Sequence, residues 1–148
     1  MNRYLVVAGR FNDLITKALL EGARERFADA GLTAAQVDVL WVPGSFEIPV
    51  VAARGAKSGV YLAIVCLGAV IRGDTPHFDY VAGQAASGLM QVSIETGVPV
   101  IFGILTTDTI EQALSRCGIK GGNKGRDAAD AALAMTKAVT QLREWERR

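Results

Sequence analysis

Short unbroken apolar blocks alternate along this chain with longer stretches in which apolar residues recur every third or fourth position. The first pattern is that of strands buried on both faces, the second that of amphipathic helices. Strands are expected over residues 3–8, 37–42, 61–67 and 98–105. After the first, Asn12 or Asp13 can cap a helix with apolar positions at Ile15, Ala18, Leu19, Ala23, Phe27 and Ala30, stopped by Gly31. After the second, Pro43-Gly44 breaks the chain, and a helix begins near Ser45 or Phe46 with Pro49 tolerated in its first turn. The helix over 78–96 shows Val81, Ala82, Ala85, Leu89 and Val92 on one side. Asp108 or Thr109 caps a short helix to about Arg116, with Glu111 or Gln112 placed for reciprocal capping. Residues 118–125 form a glycine-rich turn before a last helix over 127–145.

Strands separated by helices imply a three-layer α/β/α sandwich around a mainly parallel, flavodoxin-like four-stranded sheet. The 148 residues fit one domain, 1–148. Half of the residues are hydrophobic, enough for a core without disulfides. The net charge of +1 gives no electrostatic case for nucleic acid or a membrane surface. Cys66 and Cys117 have no metal-type spacing, and Cys66 sits in an apolar block as a small core residue. A cytoplasmic setting is therefore the expectation. Residues 1–8 are too short for a signal sequence, and no apolar run approaches the ~20 residues of a membrane span.

In an open parallel sheet, ligands bind beyond the carboxyl ends of the strands. Each such end here carries unusual chemistry. Arg10-Phe11-Asn12 follows the first strand and Pro43-Gly44-Ser45-Phe46-Glu47 the second. The third leads into a loop with Arg72, Gly73, Asp74, Thr75 and His77, the only histidine. The fourth closes with Phe102-Gly103 and Thr106-Thr107. Glycines, a hydroxyl, a cation and a histidine, the side chain that titrates between pH 5 and 8, suggest anion binding beside proton transfer. Ordinary turn and cap chemistry would explain any one of these loops, but less readily all four.

Six segments together resemble the 6,7-dimethyl-8-ribityllumazine synthase family. They are Gly9-Arg10-Phe11-Asn12, residues 41–49, Val70-Ile71-Arg72-Gly73, residues 75–80, residues 102–106, and Gly121-Gly122-Asn123-Lys124-Gly125. The resemblance spans essentially the whole chain in the same order. It implies condensation of 5-amino-6-ribitylamino-2,4-pyrimidinedione with 3,4-dihydroxy-2-butanone 4-phosphate, through an imine, phosphate elimination and ring closure, without cofactor or metal.

The resemblance also implies roles. Phe11 stacks on the pyrimidine; its plain alternative is an apolar cover for the sheet edge. Ser45, Phe46 and Glu47 hold the ribityl chain, although Glu47 would also suit a helix first turn. Ala69, Val70 and Ile71 line the pyrimidine pocket through the main chain. Gly73, Asp74 and Thr75 cradle the phosphate. Asp74 departs from the small residue expected there, and Arg72 or a base from a neighbouring subunit is the candidate partner for its charge. His77 is the general acid/base. Arg116 is the main cation for phosphate, and it equally suits a helix C-terminus. Phe102 and Lys124 complete the pocket. Phe102, Arg116 and Lys124 come from the adjacent subunit, which makes the protein a homo-oligomer with sites at its interfaces. Lys120 and Asp127 match family positions near the phosphate.

Two other classes of function compete. One is a non-catalytic flavin- or lumazine-binding or shell-forming relative, and the other a flavodoxin-like module whose phenylalanines stack on a flavin. The family forms pentamers, some closed into icosahedral shells. The first strand starts near Arg3, without the extension typical of shell formers. The 118–125 turn lacks the insertion of many pentamer-only members. A free pentamer is the expectation, with a functional link to riboflavin synthase.

Overall fold

The computed structural model describes residues 2–119 and 121–148. Four parallel strands form one sheet in the order β2-β1-β3-β4: β1 (Arg3–Gly9), β2 (Val37–Val42), β3 (Tyr61–Ile71) and β4 (Val100–Thr107). The helices are α1 (Asp13–Asp29), α2 (Ile48–Lys57), α3 (His77–Thr96), α4 (Ile110–Arg116) and α5 (Lys124–Glu146).

The central strands alternate between two cores, as a period of two requires. Tyr4 and Val6 of β1, with Ala63, Val65, Leu67 and Ala69 of β3, face the buried sides of α1 and α5. Leu5 and Val7, with Ile64, Cys66 and Val70, face α2 and α3. Both strands are therefore apolar at nearly every position, which is why they read as unbroken blocks. The expected three-layer sandwich is what forms.

The differences from the sequence reading lie at element ends. Strand β3 runs to Ile71, four residues past the expected end, because Gly68 to Ile71 keep their register with Ile104 to Thr107. Residues 69–71 are thus sheet, not loop. Strand β4 is shifted to Val100–Thr107, and α5 begins at Lys124. Ser45–Glu47 form a 3-10 turn before α2, which takes Pro49 in its first turn. Thr109 and Gln112 make the capping box of α4.

Candidate active site

The strand order reverses between β1 and β3, since β1 connects outward to β2 on one side and β3 outward to β4 on the other. That is where an open α/β sheet leaves a crevice. A groove of about 850 Å³ opens there, walled by the segments after β1 and β2 and by the start of α3. Ala69 and Val70 of β3, both buried, form its apolar floor with Ile71. Phe11 is 73% exposed and Phe46 57% exposed, so both rings face the groove and solvent, and neither serves the core. An aromatic held out in this way offers a face for a flat ring.

Backbone fit shapes the rest. A Cβ on Gly68 would lie 2.6 Å from the Ser45 hydroxyl, so the glycine lets buried Ser45 pack against β3. Glu47 folds its carboxylate over Gly44, 3.4 Å from where a Cβ would stand there. Among the described residues nothing donates a hydrogen bond to that carboxylate, which leaves it available to a hydroxyl.

Asn12 stands at the N-cap position of α1, one of the two expected, but its side chain does not bond the helix. It holds the left-handed conformation, φ 64°, and its amide donates to the Ala69 carbonyl at 2.9 Å. Asparagine tolerates this conformation better than most residues. Phe11, one residue earlier, is thereby tied to the groove floor.

His77 is the first residue of α3, exposed at the groove. Its backbone N–H donates to the Thr75 hydroxyl at 3.4 Å. Gly73, Thr75 and His77 line the groove at the positive end of this helix, where anions are favoured. Asp74 is exposed and is not among the lining residues. Arg72 does not partner it: the guanidinium pairs with Asp79 and Asp108.

Phe102, Arg116 and Lys124 are not in this groove. They line a second one, about 410 Å³, along the open edge of β4 beside the start of α5. Arg116 ends α4, and Lys124 begins α5 with its ammonium 3.7 Å from the Asp127 carboxylate. Lys120 lies outside the described residues.

One residue without a role in the sequence reading organises this second groove. The Asn123 amide donates to the carbonyls of Ala18 (3.0 Å) and Cys117 (3.1 Å). Its side-chain oxygen accepts from the N–H groups of Gly125 (2.8 Å) and Arg126 (3.1 Å). It thus caps α5, and it joins α1 to the residue following Arg116. Glycine is required at 125, where a Cβ would fall 1.9 Å from the Leu19 carbonyl oxygen. An asparagine ahead of a helix start was the available signal.

A parallel sheet with an aromatic-walled groove at its reversal point, onto which a helix start opens, defines a doubly wound α/β protein with a ligand-sized crevice at the carboxyl edge of its sheet. The family model described as 6,7-dimethyl-8-ribityllumazine synthase matches residues 1–140. A relative from Protochlamydia amoebophila (strain UWE25), named 6,7-dimethyl-8-ribityllumazine synthase, is 54% identical over 137 residues, covering 93% of this chain and 80% of its own. The chain belongs to the 6,7-dimethyl-8-ribityllumazine synthase family.

Proposed function

We propose that this protein condenses 5-amino-6-ribitylamino-2,4(1H,3H)-pyrimidinedione with 3,4-dihydroxy-2-butanone 4-phosphate. The products are 6,7-dimethyl-8-ribityllumazine, phosphate and water, in the penultimate step of riboflavin biosynthesis. The observation that carries this reading is the family match over residues 1–140.

In this reading Phe11 stacks on the pyrimidine over the Ala69–Ile71 floor, and the 45–47 turn and the Glu47 carboxylate take the ribityl hydroxyls. The pyrimidine's primary amine attacks the butanone carbonyl and water leaves, forming the imine. A proton is then lost from carbon and phosphate departs by elimination. The resulting enol takes a proton on its terminal carbon to become a methyl ketone, and the ribityl-bearing nitrogen attacks that carbonyl and closes the ring with loss of a second water. His77, at the groove beside Thr75, moves the protons. Gly73 and Thr75 at the start of α3 receive the phosphate, with Asp74 turned outward. Much of the rate comes from holding two substrates together.

A second copy of the chain completes the site. Phe102, Arg116 and Lys124 line a different groove from His77. A heterologous contact that sets the second groove of one subunit against the first of the next would bring them together and would close into a ring, read here as a pentamer. Two free buried cysteines suit a reducing cytoplasm. The lumazine product makes riboflavin synthase the functional neighbour.

The test is incubation with both substrates. Lumazine fluorescence rising in step with released phosphate is expected. Binding of a flavin phosphate without consumption of the butanone phosphate would favour the non-catalytic alternative.

A further inference from the structure

We propose that Arg72 is a positioning residue, a clamp that fixes the 73–77 segment and hence the place of His77 in the groove. This rests on the condensation reading for its kinetic consequences, though not for its structural one.

Arg72 is the last point at which this stretch is tied to the sheet. Its N–H donates to the Thr107 carbonyl at 2.9 Å, just beyond the end of β3. The next four residues have no regular structure, and a Cβ on Gly73 would meet nothing within 4 Å. The guanidinium supplies what the segment lacks. Its Nε donates to Asp108 at 2.9 Å, in the turn ahead of α4, and an Nη donates to Asp79 at 3.4 Å. Its Cζ lies over the Phe78 ring, 4.4 Å from the centroid. Phe78 and Asp79 directly follow His77, so one side chain ties the strand before the loop to the residues after it. Asp108 is itself held, its N–H donating to Gln112 Oε1 at 2.8 Å.

Each of these contacts is exposed and weak alone. They share one planar group, however, which forks to two carboxylates and sits over a ring. A lysine ammonium offers a point charge and no stacking plane.

The experiment compares wild type with Arg72→Gln, Arg72→Lys, Asp108→Asn and the Arg72→Gln/Asp108→Asn double variant. Misplacement of a reacting group costs roughly ten- to a hundredfold. Arg72→Gln should therefore lower kcat by about that factor, with KM for the pyrimidine and the melting temperature nearly unchanged. Arg72→Lys should rescue only part. Asp108→Asn should show a smaller loss, and the double variant should be little worse than Arg72→Gln, as for two members of one contact. Amide exchange of the 73–79 segment should accelerate in Arg72→Gln while β3 stays protected. Wild-type kcat together with wild-type exchange in Arg72→Gln would overturn the clamp, as would simply multiplying losses in the double variant. If wild type makes no lumazine, the condensation reading fails, and exchange of 73–79 still decides the clamp.

Discussion

The side-chain amide of Asn12 donates a 2.9 Å hydrogen bond to the carbonyl of Ala69, tying the turn after β1 to the end of β3 across the point where the strand order reverses. Asn12 is the only non-glycine residue with positive φ among the described residues. Two contributions can therefore be separated. Asn12→Gly keeps access to the left-handed conformation and loses the bond, at about 1 kcal/mol. Asn12→Ala loses both, adding roughly another 1 kcal/mol. Denaturant unfolding should rank wild type, Gly, Ala in that order; equal stability of the two variants would show that the conformation is not strained.

Phe11 sits on that turn with most of its ring exposed. Phe11→Ala should weaken pyrimidine binding by several-fold, because stacking is worth about 0.5–1.5 kcal/mol beyond area. Phe11→Tyr and Phe11→Trp should lose little. A titration with the pyrimidine that finds wild-type affinity in Phe11→Ala would remove the ring from the site.

Asn123→Ala should destabilise the protein by on the order of 2–3 kcal/mol, since it removes a helix cap together with the part-buried bonds that the amide donates to the carbonyls of Ala18 and Cys117. Asn123→Asp keeps the cap acceptor but sets a carboxylate against those carbonyls. It should rescue little, and KM for the phosphate substrate should rise in both variants as the α4–α5 junction loosens. Full recovery in Asn123→Asp would mean that only the cap matters.

The layers, the parallel sheet and the helix stripes were legible in the sequence, because burial writes itself into periodicity: Val6 and Val7 point to opposite cores and are apolar alike. The candidate site was legible as a set of residues at strand ends. Its division into two grooves came from resemblance, and no local pattern shows that Phe102 and His77 line different ones. Side-chain partners were least legible. Arg72 seemed available to Asp74, yet Asp79 and Asp108 hold it, and that choice depends on how α3 and α4 approach β3. The end of β3 was placed at Leu67, four residues short, and Gly68 continues the strand while making room for Ser45.

At the strands' other end, Tyr61 donates to Asp38 at 2.7 Å, and Arg3 pairs with the same carboxylate. The tyrosine hydroxyl, and then Arg3, hold Asp38 below the usual carboxylate range, while that same bond and burial push Tyr61 up. A lowered carboxylate stabilises the fold at neutral pH and loses that contribution as pH falls below about 4. A raised tyrosine stabilises it below its ordinary value and loses the contribution as pH climbs past about 10. Tyr61→Phe should lower the melting temperature near neutrality and flatten its fall at both extremes, with kcat unchanged. An unaltered melting profile would mean the cluster contributes nothing.

In the proposed function each site is shared between two copies of the chain, His77 from one and Arg116 from the next. Arg116→Ala and His77→Ala proteins, each of low activity alone, should be unfolded together, refolded and confirmed as mixed assemblies by native mass. With random mixing about one quarter of ring interfaces would carry both wild-type halves. Activity should then rise toward about that fraction of wild type, well above the sum of the separate mutants. Activity no greater than that sum, in assemblies proven to be mixed, would place His77 and Arg116 in a site within one chain and contradict the shared site.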